Sequence, residues 1–382
     1  MKFLSIERFG LHLLFTFLSS FAVTAQTAPP AATPTPKVAA TPVISEEDQV
    51  VKVESRLVVV PVSVTDTKGE PIVGLTAKDF RIAEEGRPQV VENVGNAESV
   101  PLEIALLFDV SATTSPMFKF QQETAAKFLR DVLRPADRAT IYTVGDSPIL
   151  VHPRDTAEAS IAAIQTIIPT KQSTAFFDSV STAAEYLRKN APAGTRRVVV
   201  VISDGEDTNS ARIANAIQSG YARAGESINK LDNKTLYELT VKNRNDASIK
   251  ERSRVGKSLQ DADTVFYAIN PAGSSYQLNK ISVYGQENMQ LFADQTGGTA
   301  FLPKFAPIDS KDALQNEGNM RKNQTVLETI FRQLASELRA QYLVQYYSDA
   351  EFPSSKFVKL DVALQNPMNY RVRARRGYYP KN

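Results

Sequence analysis

Three short stretches of this sequence hold residues whose types and spacing could do chemistry. Asp109-Val110-Ser111-Ala112-Thr113 follows the apolar run 104–108, and Ser203-Asp204-Gly205-Glu206 follows the apolar run 198–202. Between them, Thr174 comes directly after the polar Lys171-Gln172-Ser173 and opens a predicted helix. Asp109, Ser111, Thr113, Thr174 and Asp204 offer hydroxyl and carboxylate oxygens only. Such hard donors suit Mg²⁺, Mn²⁺ or Ca²⁺ and do not suit zinc or copper. Singly, each stretch has a plainer reading: Asp-x-Ser-x-Thr and Thr174 as helix N-caps, Ser203-Asp204-Gly205 as a turn. Their weight comes from lying together at strand ends, in an order that one sheet edge can gather. Glu206 and Asp207 add charge beside them and read as solvated loop acids, the alternative being that they hold waters bound to the ion.

Other chemistries lack their parts. The chain has no cysteine, which removes thiolate catalysis, thiolate-bound zinc and a disulfide framework. Its two histidines are His12, within a segment read below as a signal peptide, and His152, which has no evident partners nearby in sequence. A Ser-His-Asp triad would have to use His152. Neither Gly-x-Ser-x-Gly, a Walker-type loop nor Gly-x-Gly-x-x-Gly occurs. A non-enzymatic role is therefore expected. The net charge of +2 gives no bulk pull toward nucleic acid. Arg371, Arg373, Arg375 and Arg376 read as a solvated strand face.

The elements that must position the donors follow from hydrophobic rhythm. Continuous apolar runs at 104–108, 198–202 and Thr264–Ile269 mark strands buried on both faces, with another strand at 140–144. Helical stripes lie between them: Ala125, Phe128, Leu129 and Val132, then Phe176, Val180, Ala183 and Leu187. Further helices are predicted near 160–168, 287–295 and 323–340, with a short strand at 299–302. This alternation predicts an α/β fold, a doubly wound and mainly parallel sheet of Rossmann-like type with helices on both faces. Ligands bind such sheets beyond the carboxyl ends of the strands, where strand order reverses. The donors emerge there.

On either side the rhythm is different. Strands are predicted at 57–64, Phe80–Glu84 and 89–94, and again at 342–347, 357–364 and 370–376. Each set alone would expose an apolar face, so together they are expected to form a β-sandwich-like domain around the α/β unit. The chain then divides into a signal peptide at 1–25, a Pro-rich linker at 26–50 and an N-terminal β unit at 51–100. The α/β domain follows at 101–341, and C-terminal strands at 342–382. The signal peptide rests on Lys2 and Arg8, the apolar stretch 11–21 and the small residues Val23-Thr24-Ala25. That stretch is too short to span a bilayer, and no longer one follows. Residues 208–260 exceed what one helix and its loops require and read as a polar, partly helical insertion.

With these residues in place, the chain resembles the von Willebrand factor type A (VWA) family. That family writes its metal-ion-dependent adhesion site (MIDAS) as Asp-x-Ser-x-Ser, a distant Thr and then an Asp. Here the match is Asp109, Ser111 and Thr113, then Thr174 in Ser-Thr-Ala-Phe-Phe-Asp, then Asp204 in Ile-Ser-Asp-Gly-Glu-Asp. Thr113 stands where the family has its second Ser and keeps the hydroxyl. The flanks resemble a bacterial exported subgroup, through Val-Thr-Asp-Thr-Lys-Gly-Glu-Pro-Ile-Val-Gly-Leu-Thr-Ala-Lys-Asp-Phe at 64–80 and Arg-Gly-Tyr-Tyr at 376–379.

The resemblance implies that the hydroxyls of Ser111, Thr113 and Thr174 touch a divalent cation, Mg²⁺ first, while Asp109 and Asp204 act largely through water. It implies a protein partner that offers an Asp or Glu to the remaining coordination position. The expected function is thus an exported binding module, periplasmic, envelope-bound or secreted. The alternative is a structural or assembly protein of the cell envelope in which the ion only ties the loops together.

Overall fold

The structure, a computed structural model, describes residues 55–111, 117–170, 173–271, 280–308, 311–366 and 369–380, all within the unit 53–382. The signal peptide, the linker, Thr113, Ser115-Pro116 and Lys171-Gln172 lie outside the described residues.

Four strands come first: β1 (Arg56–Thr65), β2 (Phe80–Glu84), β3 (Arg87–Gln89) and β4 (Asn93–Asn96). In β1 the period of two buries Val58, Val60, Val62 and Val64 on one side and leaves Leu57 exposed on the other. The expected single strand 89–94 is two strands instead. β3 pairs with β2, while β4 joins another sheet, and the exposed Val90 lies where the chain crosses between them.

The α/β unit follows, with β5 (Leu102–Asp109), β6 (Arg138–Val144), β7 (Pro148–Asp155), β8 (Arg196–Ile202), β9 (Thr264–Ile269) and β10 (Ala300–Phe301) in the order β10-β9-β8-β5-β6-β7. All pairings are parallel except that of β7 with β6. β7 was not expected, because Pro148, Pro153 and the exposed Ile149 and Leu150 hide its pattern. It is an edge strand, fastened by a two-pronged pair from Arg154 to the buried Glu103 at 2.7 and 2.8 Å. His152 lies within it and bonds Asp155 at 3.2 Å. That supplies the partner the sequence reading did not see.

Seven helices are described: α1 (Phe118–Val132), α2 (Ala157–Thr166), α3 (Phe176–Asn190), α4 (Ala211–Ala224), α5 (Asn233–Asp261), α6 (Lys280–Thr296) and α7 (Ala313–Arg339). Strand alternation divides them between two layers. Ile104, Leu106 and Phe108 face the layer of α1, α2 and α7, whereas Ala105 and Leu107 face α3, α5 and α6. Each large side chain buried this way contributes roughly 1.5–3 kcal/mol. The double burial is why 104–108 and 198–202 are uniformly apolar.

The insertion is helical over most of its length, where partial helix is expected. α4 and α5 form a helical hairpin, and the second half of α5 is the ordinary crossover helix, with Val255 and Leu259 in the core. α5 has 29 residues, about 43 Å of helix, against about 20 Å for the six residues of β9 that it leads into. Its first half therefore projects past the sheet edge at the carboxyl ends of the parallel strands.

β11 (Tyr342–Ser348), β12 (Val358–Leu364), β13 (Arg371–Ala374) and β14 (Gly377–Tyr378) complete the chain. They interleave with the first four strands into two antiparallel sheets, β13-β1-β11-β4 and β14-β12-β2-β3. Their facing sides form one core from Val58, Val60, Phe80, Ile82, Val344, Tyr346 and Val358. The α/β unit is thus flanked by a sandwich built from both ends of the chain. The arginine cluster is not a uniformly wet face. Arg371 and Arg376 are exposed, but Arg373 lies 3.6 Å from Glu337 of α7, and Arg375 pairs with Asp263 and donates to the Val59 carbonyl at 2.7 Å.

Candidate metal centre

Strand order reverses between β5 and β8, and the loops at their carboxyl ends meet there. Phe108 is in register with Ile202, so Asp109 and Ser203 leave the sheet side by side. The Asp109 carboxylate accepts the Ser111 N–H at 2.9 Å through Oδ1 and the Ser203 hydroxyl at 2.6 Å through Oδ2. Ser203 Oγ in turn accepts the Gly205 N–H at 3.0 Å, and Asp204 Oδ1 accepts the Glu206 N–H at 3.0 Å. Gly205 has φ +77°, and a Cβ there would lie 2.4 Å from the Gly285 carbonyl oxygen of α6. The turn and this close approach require glycine.

Thr174 reaches the same edge from the third loop. Its N–H donates to Thr208 Oγ1 at 2.9 Å, and its carbonyl accepts the N–H groups of Thr208 and Asn209 at 2.8 and 3.0 Å. Ala175 N–H bonds the Gly145 carbonyl just beyond β6, and Thr170 N–H bonds the Val110 carbonyl. With the Thr174 backbone engaged on both sides, Oγ1 has no hydrogen-bond partner among the described residues. Asp109, Ser111, Thr174 and Asp204 are 1, 5, 5 and 8% exposed.

The donor set fits a hard divalent cation. Burial, with Asp204 close by, pushes the Asp109 carboxyl above the usual carboxylate range. A cation between the two acids would offset the repulsion from Asp204 and favour the ionised carboxylate. Among the described residues there is no group of three or more His, Cys, Asp or Glu placed to hold a metal, so an ion here would rest on hydroxyls as well as on Asp109 and Asp204. Four of the five expected donors come to this edge, and the fifth, Thr113, lies outside the described residues.

Glu206 and Asp207 are not solvated loop acids. Asp207 is 4% exposed and accepts the Phe177 N–H at 2.8 Å, the Ser210 N–H at 3.0 Å and the Ser210 hydroxyl at 2.5 Å. It joins the start of α3 to the start of α4. Asp178 completes the staple by accepting the Ala211 N–H at 2.8 Å and donating its own N–H to Ser210 Oγ at 3.0 Å. Burial pushes Asp207 up to about 6 despite these bonds. Glu206 is raised by burial as well and accepts the Ser282 hydroxyl of α6. Ser203 is a further residue of the site. The signal was present in a hydroxyl directly before Asp204, but only the register of β5 and β8 brings it to Asp109.

These raised carboxyls give the metal-free protein a distinctive pH dependence. A neutral acid buried in the fold contributes stability that is complete below its unfolded pKa of about 3.9 and is lost as pH rises through its folded value. Urea unfolding without metal should show stability falling between pH 4 and 7, by about 2 kcal/mol from each of Asp109 and Asp207. Added Mg²⁺ requires ionised carboxylates, so its increment in Tm should grow from pH 5 to 7. An increment independent of pH would contradict this assignment.

Residues 104–206 match the family model described as the von Willebrand factor type A domain. The chain carries a VWA domain. No match is found among curated proteins. Among solved structures, an aerotolerance-related membrane protein from Bacteroides fragilis is 15% identical, with 58% of this chain and 97% of that one covered at a TM-score of 0.32. A von Willebrand factor type A protein from Catenulispora acidiphila is 12% identical over 75% and 51% of the two chains, at 0.39. Proximal thread matrix protein 1 from the mussel byssus, with a zinc-occupied MIDAS motif, is 12% identical over 65% and 48%, at 0.38. The matched span of the VWA domain begins in β5 and ends at Glu206, so it holds every proposed donor and stops short of the α4–α5 hairpin.

Proposed function

We propose that the chain is an exported, non-catalytic binding module that grips a carboxylate of a protein partner through a divalent cation. Asp109, Ser111, Thr113, Thr174 and Asp204 would hold the ion, Mg²⁺ first, with Mn²⁺ and Ca²⁺ as the other hard candidates. The observation that carries this reading is the buried Asp109–Asp204 pair at the strand switch point, beside the unengaged hydroxyl of Thr174. Bound there, the ion supplies a Lewis-acidic position for a carboxylate oxygen. Hydroxyl ligands do little to neutralise a dication, so an Asp or Glu from a partner is favoured. The chain's own part is to hold the oxygens in place through Ser203, Gly205 and the bonds around Thr174. The projecting hairpin forms one wall beside this face and would help to select the partner.

No described helix is long and apolar enough to cross a membrane. Export rests on the N-terminal sequence. The test is a pull-down from cell-envelope extract with the purified chain, in Mg²⁺ and then in EDTA. One or more proteins should be retained in Mg²⁺ and lost on chelation, then recovered when Mg²⁺ is restored. Partners held equally in EDTA would show that the ion has no role in binding.

A further inference from the structure

Asp109, Asp204, Glu206 and Asp207 place four acids at one strand edge, and all but Glu206 are at most 8% exposed. A charge of the opposite sign comes from an unexpected source, the α4–α5 hairpin. Arg244 lies in the projecting half of α5 and is only 7% exposed. No carboxylate pairs directly with it among the described residues, and the acids it faces are Glu206 and Asp207.

The packing of α5 accounts for this placement. α5 and α6 run the same way, each descending from the ligand edge of the sheet. Arg252 bonds Asn288 at 2.5 Å, lies 3.4 Å from Glu287 and stacks over Tyr284, which fixes the two helices' relative height. Arg254 reaches Asp178 at the head of α3 at 3.4 Å. Two turns above Arg252, about 12 Å along the axis, Arg244 arrives level with the start of α6. There Ser282 holds Glu206. A buried guanidinium without a direct ion pair is costly unless nearby negative charge compensates it. Glu206 and Asp207, which follow Asp204 directly in the metal-centre loop, supply that charge.

We propose that Arg244 is a tethered counter-cation of the metal centre, so that the α4–α5 hairpin and the divalent ion oppose each other. When no ion is bound, Arg244 offsets the carboxylates and the hairpin is held down. When an ion is bound, its charge and that of Arg244 repel, and the hairpin is loosened. Coupling of this kind is reciprocal: a partner that draws the hairpin aside must tighten the ion by the same factor. This inference rests on the divalent-cation reading above and deepens it by naming how the site is regulated.

The test is calorimetric titration of the full chain with Mn²⁺ alone. R244M should bind Mn²⁺ more tightly, on the order of tenfold, because a fixed positive charge has been removed from a partly buried site. R244K should return affinity to that of the unaltered chain, and K242M, at an exposed neighbour, should change nothing. R244M should also melt at a lower temperature without metal. Hydrogen exchange on the unaltered chain gives a second readout, with Mn²⁺ expected to speed exchange across 225–245. If R244M folds and binds Mn²⁺ equally or more weakly, the counter-cation is overturned while the metal centre stands. If R244M does not fold, slower or unchanged exchange in 225–245 overturns it alone. If the unaltered chain takes up no Mn²⁺, the metal-centre reading falls first.

Discussion

Asp204→Ala is expected to lower Mn²⁺ affinity by on the order of a hundredfold or more while leaving the metal-free protein at pH 7 as stable as before, or more so. The two effects have opposite signs for one reason. Among the described residues the Asp204 carboxylate satisfies only the Glu206 N–H, and its charge is one of the two causes that push the Asp109 carboxyl up. Removing it costs one backbone acceptor and relieves a buried like-charge repulsion. Removing Asp109 instead would strip acceptors from both Ser111 and Ser203 and confound metal loss with misfolding. Calorimetric titration and thermal melts without metal would separate the effects. Retention of full Mn²⁺ affinity in Asp204→Ala would remove Asp204 from the site.

The second large effect lies in the sandwich. Glu84 of β2 is 2% exposed and accepts hydroxyls from Tyr346 at 2.6 Å, Ser348 at 2.7 Å and Tyr378 at 2.7 Å. Tyr346 and Ser348 belong to one sheet, Tyr378 to the other, so a single carboxylate ties both layers. Burial, with this carboxylate beside it, pushes the Tyr378 hydroxyl up to about 12. Glu84→Ala would leave three hydroxyls without their acceptor and open a cavity, costing about 3–5 kcal/mol. Tm should fall by on the order of 10 °C, with Mn²⁺ affinity per folded molecule unchanged. Glu84→Gln, which retains shape and one acceptor oxygen, should lose clearly less. Equal losses for the two variants would mean that packing, not the hydroxyl triad, is what Glu84 provides.

The centre of the fold was legible because its strands are buried twice. Nothing but an apolar run fits 104–108 or 198–202, and each run ends in the residues that could bind an ion. The pairing of the outer strands was also legible, from the exposed apolar face each half would otherwise leave. β7 was not, since an edge strand tolerates Pro148 and Pro153 and need not alternate. The helical hairpin was obscured for a related reason. α5 buries a broad stripe only in its second half, and in the first half its buried positions are Val241 and Arg244, the second of which reads as surface. Asp207 and Ser203 escaped notice because their roles are three-dimensional: one joins two helix starts, and the other needs the register of β5 against β8. Sequence spacing carries neither.

The interleaved sandwich has a consequence for the order in which the molecule comes together. Arg56 pairs with Ser348 and Val62 with Tyr342, so the earliest ordered strand finds its neighbour only after nearly the whole polypeptide has emerged. Pairings so remote in sequence form slowly. At 5–20 residues per second, roughly 15–60 s separate the appearance of the two strands. The nascent β1 must wait with its valines uncovered. A chain held open in this way can close its sandwich only once the strands near its far end have arrived.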